Sequence, residues 1–92
     1  MIVNGETGAA STPYDVPLRS DAEPNGLQKY IAGFVFNAES ADIRVNTGND
    51  ASATEGVLVP SGGSASFVMP ENGQVSLFST SANAKYSIQE SN

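Results

Sequence analysis

An all-β fold, either a small antiparallel β-sandwich or a partly open β-barrel with an extended N-terminal arm, is what this sequence predicts. Three observations lead there. Apolar and polar residues alternate with a period of two in several short runs, as on strands with one buried face. Turn-forming clusters rich in Gly, Asn and Ser separate those runs. The most apolar stretch, QKYIAGFVFN, is aromatic and β-branched, which favours a strand over a helix.

Residues 1–27 differ in texture, with Pro13, Pro17 and Pro24 and little periodicity, and they read as an extended arm preceding a domain over 28–92. Val16 and Leu18 flank Pro17, which confines any strand there to a sheet edge. The arm either wraps its own domain or grips a neighbour. Asn25-Gly26 turns the chain into the first solid strand, Gln28 to Asn37, covered on both faces. Ala41 to Thr47 alternates, with Ala41, Ile43 and Val45 facing inward. Residues 46–56 hold no large apolar side chain and predict a surface loop.

Val57 to Pro60, the turn Ser61-Gly62-Gly63, and Ser64 to Met69 carry the signature of a hairpin. Pro70-Glu71-Asn72-Gly73 turns into Gln74 to Thr80, where Val75 and Leu77 face the core and Phe78 faces away. Ser81-Ala82-Asn83 turns again into the final strand, with Ala84, Tyr86 and Ile88 inward. The expected core is Ile31, Phe34, Phe36, Ile43, Val45, Val57, Val59, Phe67, Val75, Leu77, Tyr86 and Ile88.

At 92 residues the chain makes one domain with one core. It lacks Cys and His, which removes thiolate nucleophiles, disulfides, common zinc sites and the usual general base. Four basic against ten acidic side chains, a net charge of −6, disfavour binding to nucleic acid or an anionic membrane. No apolar run is long enough to span a bilayer, and the start, MIVNGETGAA, lacks the pattern of a secretory signal, so cytoplasmic synthesis is expected.

Carboxylates are the available acid/base groups, and Glu39, Asp42, Asp50 and Glu55 read as solvated surface acids. The oxygen-rich residues 46–50 lack the acidic spacing of a calcium loop, and Ser61-Gly62-Gly63-Ser64 precedes a strand rather than the helix a phosphate loop requires. Neither a metal nor a cofactor is expected, and the chain reads as a non-enzyme. Function then falls to surfaces. The arm residues Tyr14, Val16, Leu18 and Arg19, with the surface aromatics Tyr30 and Phe78, are the candidate partner-binding residues.

From Ala41 onward the order of elements is Ile43-Arg44-Val45, a loop from Asn46 to Asn49, Ala53-Thr54-Glu55-Gly56, an apolar strand ending in Gly62-Gly63, and closing strands over 75–80 and 84–88. That order resembles small virion proteins of tailed bacteriophages and covers just over half the chain. The resemblance implies a capsid decoration or cement protein on the virion exterior, assembled in the host cytoplasm and binding the major capsid protein at capsomer junctions. A homo-oligomer is expected, a trimer or another small cyclic assembly matching lattice symmetry. The alternatives are a head-completion, head-fibre or tail component, or a stand-alone carbohydrate- or protein-binding β-module.

Overall fold

The computed structural model describes residues 2–91. Among them the regular elements are strands: β1 (Ile2–Glu6), β2 (Tyr14–Asp15), β3 (Gly33–Ala38), β4 (Ile43–Thr47), β5 (Val57–Val59), β6 (Ser64–Val68), β7 (Val75–Phe78) and β8 (Lys85–Ser91). They form two 4-stranded sheets, ordered β1-β8-β3-β6 and β2-β7-β4-β5, with every strand pairing antiparallel. Both sheets contribute to one apolar cluster, which makes the fold a small β-sandwich.

Period-two alternation placed most of the core. Phe34, Phe36, Ile43, Val45, Val59, Val75, Leu77, Tyr86 and Ile88 are buried, with Ile31 beside them. Ring pairs link strands of the first sheet, Phe34 to Phe67 at 5.4 Å and Phe36 to Tyr86 at 5.5 Å between centroids. Two expected core positions differ. Val57 is 52% exposed and Phe67 only partly buried, because each lies on an edge strand with a neighbour on one side only. The first solid strand also begins later than expected, at Gly33, and residues 28–32 lead into it as irregular chain.

The expected β5–β6 hairpin does not form. β5 pairs with β4 in one sheet and β6 with β3 in the other. The turn is the one foreseen, closed by a Gly63 N–H to Pro60 C=O bond of 2.8 Å with Gly62 at φ +82°, but it works as a corner between sheets. Its direction is set by the end of β3: Gly62 N–H donates to the Ala38 carbonyl at 2.8 Å, and Ala38 N–H donates to that of Gly63 at 3.1 Å. The turns after β6 and β7 likewise cross between sheets, and β4–β5 is the strand pair that stays within one.

Residues 2–27, expected as an extended arm that either wraps its own domain or grips a neighbour, belong to the sandwich. β1 pairs along β8 from Ile2↔Gln89 to Glu6↔Lys85, and β2 pairs with β7. Val3, Val16 and Leu27 enter the core. Between them the chain bonds to itself, Leu27 N–H to the Pro17 carbonyl and Arg19 N–H to the Leu27 carbonyl, both at 2.8 Å. Gly26 permits that approach, since a Cβ there would stand 2.5 Å from the carbonyl carbon of Leu18. A molecule of 29 × 24 × 22 Å leaves no room for a projecting segment among the described residues. Residues 2–27 bring Val3, Val16 and Leu27 into the core with Tyr14 and Leu18 against it, at spacings broken by prolines and turns that do not register as periodicity.

Candidate interaction surface

The six expected contact residues do not gather on one face. Val16 is buried, and Tyr14 and Leu18 pack against the core. Arg19 forms a two-pronged ion pair with Glu90, Nη2 to Oε1 at 3.0 Å and to Oε2 at 3.1 Å. The Gln28 N–H also donates to Glu90 Oε2, at 2.6 Å, so this carboxylate fastens the loop before β3 to β8. These four residues therefore hold the N-terminal segment down. Tyr30 does face solvent, 88% exposed, with Lys29 Nζ 5.9 Å from its ring centroid. Phe78 is half-buried in a different place, the outer face of the β2-β7-β4-β5 sheet.

On that face Leu58, Arg44 and Phe78 align across β5, β4 and β7 in direct register. They line a cleft of about 240 Å³ with Asp42, Ala53 and Thr80. The long loop after β4 builds one wall, anchored by the Ala51 N–H donating 2.8 Å to the buried Ser76 hydroxyl. Arg44 Nη1–H donates to the Gly56 carbonyl at 3.1 Å, which spends one of the five N–H groups of its guanidinium. Asp42 Oδ1 accepts the Ser61 N–H at 2.8 Å. Apolar walls with one cation and one anion suit a single amphipathic side chain, and the volume is below that of typical small-molecule sites.

The oxygen-rich loop is held by donors from the turn before β7. Gln74 Nε2 donates to Asp50 Oδ1 at 2.8 Å and to Asp15 Oδ1 at 3.2 Å, and Asn72 Nδ2 donates to the Gly48 carbonyl at 3.0 Å. Among the described residues no three metal-ligating side chains converge. In the core, burial pushes the Tyr86 hydroxyl well above the usual phenol range, and the neighbouring Tyr14 hydroxyl adds to the rise.

The second surface feature is the open side formed by the edge strands β5 and β6. Val57, Leu58 and Val68 there are 52%, 50% and 79% exposed. Residues 56–70, which include both strands, contain no charged side chain. The three exposed side chains do not share a face: Leu58 lies on the outer face of the β2-β7-β4-β5 sheet beside Arg44, while Val68, next to the inward Phe67, lies on the outer face of the other sheet. The open side was present in the sequence as an uncharged run, but the alternation assigned its residues to the interior and to a hairpin.

No protein-family model, no curated protein and no solved structure matches this chain. Among the described residues no helix is long and apolar enough to cross a membrane.

Proposed function

We propose that this protein is a non-enzymatic structural component of a tailed-bacteriophage virion, a decoration or cement protein bound to the major capsid protein at capsomer junctions on the capsid exterior. The observation that carries this reading is the uncharged side made by the edge strands β5 and β6, which leave Val57, Leu58 and Val68 exposed on a chain of net charge −6. Such a side is suited to being covered by protein. The resemblance of the order of elements after Ala41 to phage virion proteins supplies the class of partner. A cysteine-free sandwich is also fitted to folding in a reducing cytoplasm.

Quantitative mass spectrometry of purified particles tests the proposal. A copy number near that of the coat protein, or a simple lattice fraction of it, is expected. A few copies per particle would assign the protein to the head-completion, fibre or tail components, and absence from particles would end the virion reading. The Arg44 cleft favours a second reading, a stand-alone binding module that takes one side chain of a protein ligand; a specific ligand captured by the isolated domain and lost in Arg44→Ala would support it.

A further inference from the structure

The two open sides of the sandwich are treated differently. On one side, the edge strand β1 carries Glu6, and β2 carries Asp15 between Pro13 and Pro17. Charge and proline are the usual guards against unwanted strand pairing. On the other side, β6 reads Ser-Ala-Ser-Phe-Val, uncharged throughout, with Pro70 lying beyond its end. An uncharged edge of this kind is a template for another strand.

The register defines what β6 offers. Met69 N–H bonds to the Ala32 carbonyl at 3.2 Å and Ala38 N–H to the Gly63 carbonyl at 3.1 Å, bracketing the β3–β6 ladder. Hydrogen-bonded pairs alternate in an antiparallel ladder, so Ala65 and Phe67 direct their backbone groups to β3. Ser64, Ser66 and Val68 direct theirs outward, away from the sheet.

We propose that two copies of this chain pair through β6, antiparallel, about a two-fold axis at Ser66. In that register Ser66 exchanges hydrogen bonds with its symmetry mate, and Ser64 lies opposite Val68 of the other copy. Both are hydrogen-bonded positions, so the outward groups of one edge meet those of the other. On the inner face Ala65 meets Phe67 of the second copy, which covers the ring area that a single chain leaves exposed. A two-fold contact is self-complementary by construction. The absence of charge at this edge lets two chains of net charge −6 approach where they repel least. The same pairing joins the β1-β8-β3-β6 sheets of both copies into one continuous sheet. It draws on the same β5/β6 side as the virion reading, but sedimentation of the isolated protein and copy number in particles read the two separately.

Sedimentation equilibrium of the full chain from micromolar to millimolar concentration tests this, alongside Ser66→Pro and Val68→Lys. Proline at 66 removes an outward N–H without breaking the β3 ladder, and lysine at 68 places a charge on an exposed site. Thermal melts verify that both variants remain folded. Wild-type protein is expected to approach twice the 9.5 kDa chain mass as concentration rises, and each variant to weaken dimerisation by about tenfold or more. A wild-type monomer across the range, a trimer, or a dimer that folded forms of both variants leave intact would overturn the proposal.

Discussion

Tyr86 gathers several of the forces that hold this core. Its ring stacks on Phe36, and burial favours the neutral hydroxyl, reinforced by Tyr14. An acid whose folded value lies above its unfolded one adds full stability while the unfolded form is also neutral. That contribution is lost as pH rises past the unfolded value, about 10 for tyrosine. Unfolding free energy is therefore expected to fall above that point by at most about 1.4 kcal/mol per pH unit from this group, and the melting temperature with it. Tyr86→Phe should flatten the alkaline decline; an unchanged slope in thermal melts at pH 8 to 12 would show that Tyr86 does not carry it. At this scale the sequence was readable wherever one side chain in two was apolar. Leu77, Ala84 and Ile88 are buried as alternation required, whereas Val3, Val16, Leu27 and Ala38 joined the core without being anticipated. Those at 3, 16 and 27 lie in a segment with little periodicity, and a small residue such as Ala38 carries little weight in a period-two pattern.

The elements repeat the lesson in another form. Alternation and turn chemistry identified the chain reversals at 61–63, 70–73 and 81–83, but the hairpin they predicted at the first is instead a crossing to the other sheet. That crossing depends on long-range bonds, such as Gly62 N–H to the Ala38 carbonyl and Ala38 N–H to that of Gly63, which a local pattern does not encode. The N-terminal strands depend on such bonds too. Because β1 and β2 supply Val3 and the anchor for Val16, deletion of residues 1–20 is expected to abolish cooperative thermal unfolding. Each lost side chain removes roughly 1.5–3 kcal/mol of burial, and β7 and β8 lose their outer partners. A truncated chain that still melts cooperatively in circular dichroism would mean that the segment is an arm after all.

For the whole molecule, the distribution of charge says more about function than any motif does. All charged side chains lie outside residues 56–70, and the edge strands within that run expose Val57, Leu58 and Val68. The sequence showed a cysteine-free β-domain without evident chemistry, but the surface was not legible because it forms where two sheet edges meet at a corner. Of the expected contact residues, Phe78 keeps a place in a cleft and Tyr30 on the exterior, while Val16 and Arg19 serve the fold. The central claim at this scale is that the uncharged β6 edge is where two copies of the chain pair. Amide hydrogen exchange resolved by residue, at low and high protein concentration, tests that most directly. The account requires Ser64, Ser66 and Val68 to exchange freely when dilute and to become protected when concentrated, with Ala65 and Phe67 protected throughout. Free exchange at those three amides under both conditions, or new protection confined to the β1/β2 side, would contradict it.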